Sequence, residues 1–221
     1  RPADAPPPPP SALHAYDLKT GADKGSWNLP TAGGFCNDIA VDAAGNAYIT
    51  DTNNMDVNVL KKGATALEVW AGNGAFGPKG GVLDGIAIIG DKVYVNALAA
   101  SKLFVTTIDK KGKAGPVSEV KLNRVIERPD GQRAWGNKLL VVEGGGKGRL
   151  SKVEFSADGL SGTSTILNEG YPDGPVAVTV VGDNAYVLEG QFAAARAPVA
   201  PGAAPAAAKP YKASAVKVGT P

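Results

Sequence analysis

The chain has 221 residues, 43% of them apolar, with 29 Gly, 17 Pro and a formal net charge of +2. This turn-heavy balance disfavours long helices, the dispersed Lys and Arg form no basic stripe for nucleic acid, and no apolar run approaches the ~18 residues of a membrane span. One cysteine, Cys36, and one histidine, His14, exclude an intrachain disulfide and a zinc cluster within the chain.

Residues 1–12 form a Pro-rich segment with five consecutive prolines, Pro6 to Pro10, expected to run as extended polyproline into a single domain over 13–221. Leu13 to Gly21 and Ser26 to Leu29 read as two strands. Next comes a design used four times, an Asn/Asp-led strand, a Gly turn and a second apolar strand. Its copies run from Cys36 to Thr50, Leu83 to Asn96, Pro129 to Val142 and Pro172 to Leu188. The leading Asn37, Asp84, Asp130 and Asp173 stand 47, 46 and 43 residues apart. A period near 45 with several short strands in each unit is the signature of propeller blades.

Residues that did not define the repeat follow it too. A third run ending in a Gly turn covers Val57 to Gly63, Leu103 to Gly112 and Leu150 to Gly159, and a fourth strand covers Ala66 to Trp70, Val117 to Leu122 and Thr163 to Leu167. The unit is a four-stranded meander, A-B-C-D. Leu13 to Leu29 supplies only the C and D strands of an earlier blade, and Tyr211 to Val218 is strand C of the last one. Between strands B and C of that last blade, 193–208 is almost wholly Ala, Pro and Gly and reads as a long loop on one face of the disc. Such Pro/Ala-rich linkers fit an exported protein, periplasmic or secreted.

The fold expected is therefore an all-β propeller. A six-bladed ring lacking an N-terminal portion of about one and a half blades, roughly 50 to 90 residues at about 45 per repeat, accounts for the half blade, and a start at Arg1 rather than Met fits truncation or processing. The alternative is a four-bladed ring in which Ser26 to Leu29 closes the last blade. Open blade edges would be surfaces for a protein partner or for self-association.

In a propeller the A strands line the central channel, so equivalent residues form rings at its mouth. Asn37, Asp38, Asp84, Asp130 and Asp173 make one ring of oxygen donors, suited to a hard divalent cation. The B-strand ends Asp51, Glu143 and Glu189 make a second. The same Asn-Asp and Asp-Gly pairs also build tight turns, with the side chain accepting backbone N–H groups. Cys36 reads as a small buried apolar residue. Trp27, Trp70, Trp135, Tyr48, Tyr94 and Tyr186 read as packing between blades.

The phrases Asn37-Asp38-Ile39-Ala40-Val41-Asp42-Ala43-Ala44-Gly45-Asn46-Ala47-Tyr48, Pro129-Asp130-Gly131 and Tyr186-Val187-Leu188-Glu189-Gly190-Gln191 resemble the gluconolactonase and regucalcin (senescence marker protein) superfamily of six-bladed propellers, over about residues 13–218. The resemblance implies an axial divalent metal, Ca²⁺, Mg²⁺, Zn²⁺ or Mn²⁺. It implies metal ligation by Asp130 and, where the family has Asn, by Asp84, with a further Glu that would lie upstream of Arg1. It also implies substrate contact by Asn37 and Asp38. The activity implied is lactone hydrolysis, the ion polarising the ester carbonyl and Asp130 activating water as general base. The alternative is a non-catalytic NHL-like propeller, exported as a binding or scaffolding module.

Overall fold

The computed structural model describes residues 10–192 and 209–221. The expected polyproline segment, up to residue 9, and the expected loop 193–208 lie outside the described residues.

The protein is an all-β propeller. Strands β3 (Cys36–Val41), β4 (Ala47–Asp51), β5 (Asp56–Leu60) and β6 (Glu68–Ala71) form the first four-stranded antiparallel sheet. The second is β7 (Leu83–Ile89), β8 (Lys92–Ala97), β9 (Lys102–Thr107) and β10 (Ser118–Glu119). Lys121–Leu122 (β11) then leaves that sheet and pairs in parallel with the outer strand of the third, which comprises β12 (Pro129–Trp135), β13 (Lys138–Glu143), β14 (Arg149–Phe155) and β15 (Ser161–Glu169). The fourth has three strands, β16 (Pro175–Val181), β17 (Asn184–Glu189) and β18 (Ala213–Lys217). Ahead of them all, β1 (Ala12–Tyr16) pairs with β2 (Asp23–Asn28).

Four blades are thus seen, the number of the four-bladed alternative. That alternative had Ser26 to Leu29 close the last blade, and the pairing corrects this point. Ser26 and Trp27 pair with His14 and Leu13, and β18 has β17 as its partner.

Strand register explains why the sheets stack as blades. Along β13, Leu139 and Val141 pack toward the second sheet while Leu140 and Val142 pack toward the fourth. Period-two alternation thus feeds two interfaces from one strand. Each of these four side chains is fully buried, which contributes about 1.5–3 kcal/mol apiece. Tyr48 and Tyr94 fill the first and second interfaces in the same way. Leu13 of β1 and Leu29, just after β2, cover Ile49 of β4 and Leu67, just before β6. Tyr186, expected as core, instead lies half exposed on the outer face of the fourth sheet, beside Leu188.

The turns after the A and C strands are pinned by aspartate. Asp42 Oδ1 accepts the N–H groups of Ala44 and Asn46, and Asp109 Oδ1 those of Lys111 and Lys113. These local bonds fix the hairpins within each blade.

Candidate functional site

Pairing register defines the ring position better than the letters do. The first A-strand residue pairs with the last B-strand residue in every blade: Cys36 with Asp51, Leu83 with Ala97, Pro129 with Glu143 and Pro175 with Glu189. A bulge follows each of these pairs. The residue entering the bulge is Asn37, Asp84, Asp130 and Val176 in turn. Asp173 therefore does not belong to the ring. Its Pro172-Asp173-Gly174 copies the letters of Pro129-Asp130-Gly131, but Pro175 is the residue that occupies the Pro129 place. Asp173 lies in the preceding turn, where its N–H donates to Glu189 Oε2 at 2.9 Å and its carboxylate sits 3.7 Å from Lys209 Nζ.

Bonds between blades hold the bulges. Thr50 Oγ1 donates to the carbonyl of Asp84 at 2.6 Å, and Asn96 Nδ2 donates to the carbonyl of Asp130 at 2.6 Å. Thr50 and Asn96 occupy the same place in β4 and β8, one residue before the strand end. The close approach explains the glycines that follow. A Cβ on Gly85 would lie 2.6 Å from the Asp130 carbonyl oxygen, and one on Gly131 would lie 2.6 Å from that of Val176.

This packing brings Asn37, Asp38, Asp84 and Asp130 together. Asp84 and Asp130 are within hydrogen-bonding reach of each other, with the Asn37 amide beside Asp84 and the charge of Asp38 acting on both. Burial pushes the Asp84 carboxyl up to about 6, against the favourable hydrogen bonds from Asn37 and Asp130. Burial and then the neighbouring Asp84 charge push Asp130 up to about 8. The two titrate as a unit, with burial holding both above the ordinary carboxylate range.

Asp38 is occupied differently. Its Oδ2 accepts the Ile86 N–H at 3.2 Å and Arg133 Nη1 at 2.7 Å, a bridge from the first blade to the third. Asn37 is exposed, and its Nδ2 donates to Thr52 Oγ1 at 3.0 Å.

The second ring is a set of latches. Asp51, Glu143 and Glu189 each accept the N–H of a residue 16 positions upstream, Phe35, Glu127 and Asp173, at 3.0, 2.7 and 2.9 Å. They tie the loop entering each A strand to the end of its B strand. The second blade has Ala97 at this place and no such latch. Glu143 is fully buried and also paired with Arg124 and Ser151. Cys36 is half buried against the first core, where burial raises its thiol pKa.

Sequence reasoning missed Thr50, Asn96 and Arg133. The shared offset of Thr50 and Asn96 from their strand ends was available in the repeat. Arg133 carried no such signal, because its equivalents are Ala40 and Ala87.

A hard divalent ion matches the donors in type: two carboxylates that like-charge repulsion keeps from ionising together, and an adjacent carboxamide. A wholly acidic or imidazole cage is absent, since among the described residues no group of three or more His, Cys, Asp or Glu side chains is placed to hold a metal.

No family model and no curated protein matches the chain. Solved structures share its fold. A streptogramin B lyase matches 81% of this chain and 55% of its own length at 15% identity, with a TM-score of 0.62. A luciferin-regenerating enzyme matches 80% and 62% at 16% identity and 0.58. Regucalcin of Agrobacterium tumefaciens str. C58, described as a calcium-binding protein, matches 80% and 62% at 14% identity and 0.58. The chain thus spans 55 to 62% of the length of these three proteins. At such identities the likeness carries the β-propeller fold, and regucalcin is among the propellers that share it.

Proposed function

We infer that the chain carries the axial site of a divalent-cation-dependent hydrolase acting on a lactone. The observation that supports this is the Asp84–Asp130 pair beside Asn37, one carboxyl buried and one half-buried, held at adjacent bulges with raised pKa values. Perturbed carboxyls in a cleft are candidates for proton transfer. Asp84 and Asp130 would hold the cation through carboxylate oxygens, with Asn37 and Asp38 against the substrate. When bound, the cation polarises the ester carbonyl. Asp130 Oδ takes the proton of the attacking water, the ring C–O bond breaks as the new C–O bond forms, and that proton passes to the departing alkoxide, giving a hydroxy acid. The bonds from Thr50 and Asn96 fix the backbone carbonyls of Asp84 and Asp130, so both carboxyls are oriented before substrate arrives.

The test is a titration with Ca²⁺, Mg²⁺, Mn²⁺ and Zn²⁺ near neutral pH, reading heat and protons released, followed by a lactone hydrolysis screen. Binding with release of about one proton per ion is expected, because the pair must surrender its shared proton. Asp130→Asn should lower turnover by about 10² to 10⁴, the range of a general base, while Asp173→Asn leaves it within about twofold. No proton release and no turnover would overturn the hydrolase reading. Engagement of Asp38 by Arg133 and the Ile86 N–H favours the second reading, a non-catalytic exported propeller. That reading predicts equal, small effects of Asp130→Asn and Asp173→Asn on every solution property except stability.

A further inference from the structure

Two arginines bind buried or half-buried carboxylates in this protein, and they are used differently. Arg124 engages both terminal nitrogens: Nη1 with Val125 O and Glu143 Oε2, Nη2 with Glu143 Oε1 and Ser151 Oγ. That is a bidentate structural pair in which only Nε, buried, has no hydrogen-bond partner among the described residues. Arg133 engages one. Its Nη1 donates to Asp38 Oδ2 at 2.7 Å and to the Gln132 carbonyl at 2.6 Å, while no hydrogen bond to Nη2 or Nε is formed among the described residues. Its side chain is 41% exposed, against 15% for Asp38. The two bonds on Nη1 orient the guanidinium plane, leaving the Nε–Nη2 edge, two parallel N–H donors, without a hydrogen-bond partner among the described residues. That edge is the fork which matches a carboxylate or phosphate.

Placement puts this fork at the candidate site. Arg133 follows Asp130 by three residues in β12 and reaches Asp38 in β3. Its counterparts Ala40 and Ala87 are short, so this is the one blade of the first three in which that position carries a long cation.

We propose that Arg133 is an oxyanion-binding residue of the axial site and that the ligand carries a carboxylate or phosphate group. The proposal rests on the hydrolase reading for its substrate class, which becomes an acidic lactone, one with an oxyanion beside the ester. Asp38 and the Gln132 carbonyl occupy only Nη1, so the fork is not spent on the carboxylate that Arg133 bridges.

The test uses the full chain without lactone or added divalent ion. Acetate and inorganic phosphate are titrated as probes, read by the ¹⁵N–¹H shift of Arg133 Nε and by calorimetry, and the preferred probe identifies the source of the oxyanion. Saturable binding is expected, lost in Arg133→Gln and weakened about tenfold in Arg133→Lys, which keeps charge but not the fork. Asp38→Asn is the control for a folding defect. It removes the bridge but leaves the arginine, so binding should persist or tighten. Unchanged binding in Arg133→Gln, or equal loss in Asp38→Asn, would overturn the proposal. Oxyanion binding without turnover of any lactone would remove the hydrolase reading alone, whereas turnover of neutral lactones with no oxyanion binding would remove only the role of Arg133.

Discussion

Replacing Asp130 by Asn should stabilise the protein at alkaline pH while impairing its proposed chemistry. A carboxyl whose folded pKa exceeds its unfolded value takes up protons on folding, so its contribution is fully present below the ordinary value of 3.8 and is lost as pH rises through the folded one. For the pair that loss runs through about 6 for Asp84 and about 8 for Asp130. The distance from 3.8 to about 8 for Asp130, at about 1.4 kcal/mol for each pH unit, sets a ceiling near 6 kcal/mol on the cost of ionising it. Relaxation and water at the mouth reduce this by half or more, leaving about 2 kcal/mol. Urea unfolding of wild type from pH 4 to pH 9 should therefore show stability falling with pH through this window. Asp130→Asn should flatten the slope and gain about 2 kcal/mol at pH 8.5, with little change at pH 4.5. A wild-type profile flat between pH 5 and pH 8.5, or a mutant equally destabilised at both ends, would refute the paired, proton-sharing arrangement.

Glu143 gives the opposite sign. Burial alone would raise its carboxyl, but the bonds from Arg124, Ser151 and the Glu127 N–H outweigh it and hold it below 4.5. Its contribution is present above that value and is lost on acidification, and Glu143→Ala should cost about 3–5 kcal/mol by stranding Arg124, as measured by urea unfolding at pH 7. Gly131→Ala should cost about 1–3 kcal/mol in the same assay, because the new methyl meets the Val176 carbonyl and the Ala177 Cα at 2.6 and 2.9 Å, both backbone atoms that cannot swing aside.

The blades were legible in the sequence because each repeat satisfies its own local rules. Asp42 and Asp109 close their turns with bonds to residues two and four positions on, so the hairpins are written within a few letters. The D strand of the second blade was less so. The Val117 to Leu122 run breaks around buried Val120, because Lys121 and Leu122 reach across to Ser161 and Gly162 of the next sheet. The fourth ring position was misread for a related reason. Pro172-Asp173-Gly174 is locally indistinguishable from Pro129-Asp130-Gly131, and only the pairing of Pro175 with Glu189 shows which proline opens the strand. The Arg133–Asp38 bridge joins residues 95 positions apart, and nothing local records it.

Polarity at the axis follows from how the bulges are supported. Thr50 and Asn96 each donate to the bulge carbonyl of the next blade, and in those next blades the ring position is an aspartate, Asp84 and then Asp130. At the same place β13 has Val142, which makes no such bond and packs in the core between the third and fourth sheets, and the ring position that follows is Val176. Donor and carboxylate therefore disappear together. A side-chain donor to the bulge carbonyl fixes the backbone from which a partly buried carboxyl must be presented; where an apolar contact takes its place, an apolar ring residue suffices. The candidate site is consequently off-centre, polar along the first three blades and bounded by valine on the fourth.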